Sequence, residues 1–452
     1  MKQPNILFMI SHDTGRHLGC YGEQVKSPTL DKMAQDGVRF DKFYCPAPQC
    51  SPSRGSILTG KYPHNNGLIG LAHYEFSLDE NVKTMPMLFG EGGYDTSLIG
   101  FSHETIGQEE RGTWSSRTKL GYDNFIEVEG SRAPDVARST INFLKQQAES
   151  DDKKPFFANV GFWETHRKFE EYEPYADDPD TVHVPDYLPD TPSIRKEISL
   201  LNGSVKVMDD SIQQILQGLE ESGLKENTIV IFTTDHGIAF PRAKGTMKEA
   251  GLETALIMSG PSWLSQGSVR KELLCNVDLL PTLLELGGIE VKDDFDGKSF
   301  AKLLQTNEEE TIRDDFFFEM TWHDDYHPMR GIRTAHYSYV KNFEDGPKVY
   351  IPMDIHSSIS GKDVREQYYV PNDAEELYDL EADPFEENNL IHSREHQQIA
   401  FELRERVEKW MKETNDPLLN GPVNGIASAK WAVEKKEGRA YLDRSTFESN
   451  KG

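Results

Sequence analysis

Cysteine is scarce in this chain. Four residues (Cys20, Cys45, Cys50 and Cys275) in 452 are too few for a disulfide framework, and no spacing pairs them, so a reducing compartment is expected. Long apolar runs are missing as well: Asn5 to Ser11, close behind Met1-Lys2-Gln3-Pro4, is too short to span a membrane and lacks a signal-peptide cleavage pattern. It reads as a first strand, and the chain as given reads as cytoplasmic with no membrane contact. Positive charge is in deficit, with 49 Lys plus Arg against 76 Asp plus Glu and a net charge of -27. That balance excludes nucleic acid as a partner and requires any anionic substrate to meet a locally positive pocket. Internal repeats and low-complexity tracts are also absent.

What is present belongs to a large folded protein. A hydrophobic fraction of 37% over 452 residues supports a sizeable core and predicts a large domain with a smaller companion. Short apolar runs at Asn5 to Ser11, Thr96 to Phe101, Phe156 to Phe162, Thr228 to Thr234 and Ala255 to Met258 suit buried parallel strands. Helical patterns fall between them, one opening at Ser27-Pro28 and closing near Gly37, another over Val205 to Leu219. This alternation predicts a mostly parallel α/β sheet with helices on both faces and ligands at the carboxyl ends of its strands. After about residue 305 the pattern changes. Phe316 to Trp322, Met329 to Phe343 and Leu377 to Leu380 read as strands of a separate antiparallel sheet, followed by a helix near Gln397 to Lys412. The expected division is therefore 1–305 and 306–452, with Asp177 to Pro192 as a surface loop.

Two polar motifs close core strands: Ser11-His12-Asp13 and Asp235-His236-Gly237. If those strands lie side by side, His12, Asp13, Asp235 and His236 offer mixed nitrogen and oxygen ligands to a divalent cation, whereas either pair alone is an ordinary polar turn. A third segment, Cys50-Ser51-Pro52-Ser53-Arg54 running to Gly60, reads as a short helix with Pro52 at its first position and Gly60 just past its end. Unpaired N–H groups at such a start hold an anion and lower a thiol pKa, and Arg54 sits one turn inside as a charged clamp. A buried cysteine before an unrelated helix is the plain alternative.

The spacing C-x-P-x-R followed by S-x-L-T-G-x-Y-P-H resembles the signature of the type I sulfatases of the alkaline-phosphatase superfamily. Trp163-Glu164-Thr165-His166, Lys244-Gly245-Thr246-Met247-Lys248-Glu249 and the landmarks Asn276 to Thr282 and Glu376 to Leu380 extend it over most of the chain. Less specific segments, Phe240-Pro241, Pro328-Met329-Arg330 and Trp410 to Pro417, are similar to the heparan N-sulfatase (sulfamidase) branch. The resemblance implies a large mixed sheet sandwiched by helices, with a smaller C-terminal α+β domain bearing an antiparallel sheet. It also implies hydrolysis of sulfate esters or sulfamates of a sulfated sugar. Cys50 would be converted to formylglycine by a formylglycine-generating or anaerobic sulfatase-maturating enzyme. One divalent ion, calcium in the family, would be held by Asp13, Asp235, His236 and modified Cys50, with His12 where an aspartate is usual. Imidazole is a poor calcium ligand, which admits manganese, zinc or iron.

By the same resemblance Arg54 and Lys244 balance charge on the sulfuryl group, His166 assists the leaving group and His103 acts as a base. The family's G-K-x-H stands here as Gly100-Phe101-Ser102-His103, so a sulfate-gripping lysine is replaced by Phe101, and Arg16 is the cation considered as its substitute. In Thr321 to Arg330, the groups able to bind a sugar are His323, Asp324, His327 and Arg330, with a solvated polar loop as the alternative. Two other functions remain in view: a phosphonate monoester or phosphodiester hydrolase with the same site, and a noncatalytic relative, which the joint presence of Cys50, Arg54, Asp13, Asp235 and Lys244 opposes. An oligomer is left open.

Overall fold

A computed structural model describes residues 3–105, 120–151, 154–290, 294–306 and 308–425. Its main sheet has eight strands in the order Asn124–Ile126, Asp95–Gly100, Phe156–Gly161, Asn5–Ser11, Thr228–Thr234, Leu256–Ser259, Val38–Phe40 and Ser268–Arg270. The first five are mutually parallel. Leu256–Ser259 runs antiparallel to both of its neighbours, so the sheet is mixed, as expected. The central strand shows how sequence sets the layers. Ile6, Phe8 and Ile10 face one apolar cluster shared with the helices Met85–Glu91 and Leu279–Leu286, while Leu7 and Met9 face another with Pro28–Asp36, Ala133–Glu149 and Pro192–Glu221. Alternate side chains of one strand thus bury both faces, which requires the uninterrupted apolar run seen in the sequence.

The register of the two central strands decides where the polar motifs go. Asn5 to Ser11 pairs residue for residue with Thr228 to Thr234, ending at Ser11 opposite Thr234. His12-Asp13 and Asp235-His236 therefore leave the sheet together at the same edge. On the other flank, Ile10 pairs with Gly161 and Gly100 with Gly161, which brings Trp163 to His166 and Phe101 to Glu104 to that edge too. Gly100 takes φ 80°, and a Cβ there would meet the Gly161 carbonyl oxygen at 2.5 Å, so this turn needs glycine.

The second sheet is antiparallel, in the order Asp315–Trp322, Tyr326–Thr334, Tyr337–Asn342 and Glu375–Asp379, with the helix Gln397–Glu413 against it. The stretch Met329 to Phe343, expected as one strand, folds as two, turning at Ala335-His336, where Tyr337 N–H donates to Thr334 Oγ1 at 2.9 Å. The helix over Val205 to Leu219 is also longer than expected, running from Pro192 to Glu221 behind a Thr191 cap that accepts the Ile194 N–H. Residues 176–191 form the expected irregular stretch. One apolar cluster joins the two expected units, packing Tyr44, Tyr62, Phe76 and Cys275 of the first against Phe316, Phe318, Trp322 and Trp410 of the second. The end of the expected second unit, 426–452, lies outside the described residues.

A buried ionic network crosses the same junction. Arg330 is fully buried; it donates to Asp416 through Nε (2.5 Å) and Nη2 (3.1 Å), lies 3.3 Å from Glu319, and donates to the Met320 and Met329 carbonyls. Glu319 in turn bonds His64 Nδ1 at 2.7 Å. This corrects the expectation that Arg330 binds substrate: its donors are committed to the protein. It also gives the Tyr62-Pro63-His64 end of the cysteine motif a structural role. Replacing Asp416 with alanine should leave Arg330 buried without its main counter-ion and destabilise the C-terminal sheet by about 3–5 kcal/mol. Urea unfolding should show that loss as an earlier transition; an unchanged midpoint would contradict it.

Candidate functional site

Cys50 is the first residue of the helix Cys50–Thr59, behind Gln49 in the N-cap position, and all ten helical residues are buried. Pro52 therefore sits at the third position rather than the first, and the thiol is carried where the unpaired helix N–H groups are. Gly60 ends the helix in the left-handed region at φ 63°, as expected of a C-terminal glycine. The helix points Cys50 at the sheet edge: Sγ lies 3.3 Å from His236 Nε2 and 3.8 Å from Asp13 Oδ1.

His12, Asp13, Cys50, Asp235 and His236 each offer a ligand atom, all within 4.8 Å of one another and all buried. Asp13 reaches in from a left-handed backbone at φ 57°, its N–H donating to Asp235 Oδ1 at 2.9 Å. His12 Nδ1 lies 2.7 Å from Asp13 Oδ1 and 3.4 Å from Asp235 Oδ2. His236 Nδ1 donates to the Gly237 carbonyl at 2.9 Å and Nε2 lies 3.0 Å from Asp13 Oδ1; burial opposes the imidazolium, but Asp235 and then Asp13 hold its pKa well above the ordinary value, so this contact demands positive charge. A ring nitrogen and a carboxylate oxygen at that distance need a proton or a cation between them. The donor set therefore fits a metal ion, and the Gly237 carbonyl fixes the imidazole tautomer as the surroundings of metal-bound histidines do.

The flanking charges are as dense. Arg54 Nε donates to Asp235 Oδ2 at 2.9 Å and Nη2 to the Ser11 carbonyl at 3.0 Å, with the guanidinium 5.1 Å from the Phe101 ring centroid. Expected as a clamp on the sulfuryl group, Arg54 uses these two donors to orient a metal-ligand candidate and the strand end. Lys244 Nζ donates to Asp13 Oδ2 (2.7 Å) and to Asp354 Oδ2 (2.8 Å). Burial raises the Cys50 thiol pKa, but Lys244 first and then His12 overcome it, so the thiol lies well below its ordinary value. Burial opposes the charge on Lys244, yet Asp13 and Asp354 hold it well above the ordinary lysine value. Burial brings His166 down to about 4 against the pull of Asp13, whose Oδ2 lies 3.9 Å from its Nε2. Thr165 stitches this segment to the metal edge, its N–H and Oγ1 both bonding the His12 carbonyl.

Residues 4–289 match the family model for sulfatase. The chain belongs to the sulfatase family. A second model, described as N-sulphoglucosamine sulphohydrolase, C-terminal, matches residues 242–358. Among curated relatives, the Homo sapiens N-sulphoglucosamine sulphohydrolase is 28% identical over 94% of this chain and 93% of its own. An ulvan-active sulfatase of Formosa agariphila is 26% identical over 95% of this chain and 78% of its own. Two solved structures share the fold. One is a protein in complex with its substrate D-glucosamine-2-N,6-O-disulfate (TM-score 0.69, 22% identity, covering 93% of this chain and 99% of that one). The other is the phosphonate monoester hydrolase of Agrobacterium radiobacter (TM-score 0.70, 19% identity, 91% and 96%). This sulfatase is accordingly a hydrolase of sulfuric esters, and its family implies a divalent metal and formylglycine.

His103 stands at the rim of this site, its ring centroid 5.8 Å from that of His12. Arg16 does not replace the missing lysine: it pairs with Glu253 at 3.2 Å and donates to the Thr254 and Phe43 carbonyls. His323 and Asp324 form the turn between the first two strands of the second sheet. Asp324 accepts from Tyr74 Oη (3.2 Å) and the Met353 N–H (2.7 Å), and among the described residues His323 Nε2 has no partner. His327 instead stacks on Tyr350 and lines a cavity of about 30 Å³ behind the Lys244 loop, too small for a sugar, which corrects its placement in the substrate site. Asp354 was missed: it stands outside every motif, and only folding of the second unit against Lys244 brings it here. Replacing Asp235 with asparagine should remove one ligand charge and the partner of Arg54, dropping bound metal from near-stoichiometric to background by elemental analysis. Retention of full metal content would remove Asp235 from the ligand set.

Proposed function

We propose that this sulfatase hydrolyses a sulfate ester or sulfamate on a small sulfated sugar, with Cys50 acting as formylglycine after conversion by a dedicated maturation enzyme. The observation that carries the reading is the gathering of His12, Asp13, Asp235 and His236 around Cys50 at the start of a buried helix. The substrate class is supported by the 94% coverage against the human N-sulphoglucosamine sulphohydrolase and by the matching C-terminal model. The ion we propose is manganese, zinc or iron rather than calcium, because two of the donors are imidazole nitrogens.

When present, the modified side chain supplies an oxygen nucleophile and the ion Lewis acidity. The protein's own groups do the rest. Asp13, Asp235, His236 and His12 would hold the ion, and Arg54 would keep Asp235 in line. Lys244, with two donors on Asp13 and Asp354, has its third N–H for a sulfuryl oxygen. His166, whose ring centroid lies 4.4 Å from that of His12, is proposed to assist the departing amine or alcohol as a neutral imidazole, because burial brings its pKa down to about 4. His103 is the proposed base for sulfate release. Because Lys244 is the one lysine expected to grip the sulfuryl group, replacing it with alanine should lower kcat by roughly 10²- to 10³-fold.

A second reading, phosphonate monoester hydrolysis, is favoured by one feature: Phe101 covers the face of Arg54 where the family carries a lysine, which weakens the grip on sulfate. Two measurements test the proposal. Mass spectrometry of the Cys50 peptide from active protein should show the aldehyde, and full activity with an intact thiol would refute the mechanism. Glucosamine N-sulfate and an aryl sulfate should both be turned over faster than a phenyl phosphonate ester. A phosphonate rate several orders of magnitude above both would reverse the assignment.

A further inference from the structure

His73 belongs to no motif and to none of the roles above, yet it is bonded to the proposed base. Its Nδ1 lies 3.1 Å from His103 Nε2, and the two rings are parallel within 7°. Both are fixed from behind. The turn Ala72–Tyr74 is tied to the cysteine helix, since the Ala72 N–H donates to the hydroxyl of Ser51, the residue after Cys50, at 2.9 Å. Tyr74 Oη donates to Asp324 at 3.2 Å. On the other side, the buried Glu104 carboxylate accepts the His103 N–H (2.8 Å) and the Ser102 hydroxyl (2.5 Å), pinning the loop. The remaining nitrogen, His103 Nδ1, is buried and has no partner among the described residues, whereas His73 is exposed.

We infer that His73 is the positioning residue that fixes the tautomer of His103, so that Nδ1 is the working nitrogen, and that it carries the proton to solvent. The inference rests on the reading of His103 as the base. A hydrogen bond between two imidazoles holds one proton. For Nδ1 of His103 to present a lone pair, its Nε2 must bear the hydrogen and donate to His73 Nδ1, which leaves the His73 hydrogen on Nε2, toward water. The exchange then balances. His103 Nδ1 takes a proton from the reacting group, its Nε2–H passes to His73 Nδ1, and His73 releases its Nε2–H to solvent. Both rings end neutral in the opposite tautomer and reset through water. Desolvation and then His103 hold His73 down to about 4, consistent with a neutral partner. The arrangement resembles in logic the carboxylate that orients a catalytic imidazole, with a neutral ring in its place.

The test uses the mature, metal-loaded enzyme and an aryl sulfate. His73→Ala should lower kcat about 10- to 100-fold with KM nearly constant, the range for losing a group that orients a working imidazole. Imidazole in the buffer should restore part of the rate, and His73→Asn, whose carbonyl oxygen can accept from His103, should retain most of it. An unchanged kcat, or a raised KM at constant kcat, would overturn the inference, the latter making His73 a substrate contact. A second arm needs no turnover. ¹⁵N spectra of histidine-labelled protein should show His103 as the Nε2–H tautomer and lose that signature in His73→Ala. An Nδ1–H tautomer in the native protein would overturn the inference. Lack of turnover of every sulfate and sulfamate by native enzyme showing the expected tautomer would instead defeat the functional reading.

Discussion

The in-register pairing of Asn5–Ser11 with Thr228–Thr234 is the constraint on which the site depends. Parallel strands that end level deliver their next residues to one place, and here those residues are two imidazoles and two carboxylates. A slip of one residue would turn Ile6, Phe8 and Ile10 to the opposite face and separate His12-Asp13 from Asp235-His236, so the packing that fixes the register also fixes the site. The cost of gathering like charges in a buried place is offset locally. Arg54 and Lys244 each hold one of the two carboxylates, and the remaining demand for positive charge lies at the point where Asp13 Oδ1, His236 Nε2 and Cys50 Sγ converge.

The two residues that depart from the expected sulfatase motifs, His12 and Phe101, lie next to each other. The rings of His12 and Phe101 are 4.9 Å apart, and Phe101 packs on Arg54 at the position where the resemblance to sulfatases leads to the expectation of a lysine. An apolar ring beside an imidazole ligand and a guanidinium makes this wall of the pocket less cationic and more aromatic, with Trp163 at 5.3 Å from Phe101 continuing it. The remaining lysine, Lys244, is steadied from the second unit by Asp354, so the C-terminal sheet reaches the chemistry through a charged contact as well as through shared apolar packing.

The core strands could be read from the chain because burial on both faces leaves an unbroken apolar run. The expected Asn5 to Ser11 and Thr228 to Thr234 coincide with the observed strands, and the other three differ by one residue at one or both ends. The Cys50 motif and both strand-end pairs were readable for a related reason: short segments carry them whole. Elements that depend on distant partners were not. The hairpin inside Met329 to Phe343 turns at Ala335-His336, which has no glycine or proline to mark it. Arg330 looks like a sugar ligand in sequence because Asp416, which claims it, lies 86 residues away. Asp354 and His73 sit in ordinary surroundings and acquire their partners only on folding.

X-ray absorption at the edge of the bound metal tests the central claim most directly, since it reads the ligand atoms themselves. The account requires one ion with nitrogen and oxygen donors at about 2.0–2.2 Å, including scattering from imidazole rings, and loss of part of that imidazole signal when His236 is replaced by alanine. An ion bound through oxygen alone, with a spectrum that the His236 replacement does not alter, would contradict it.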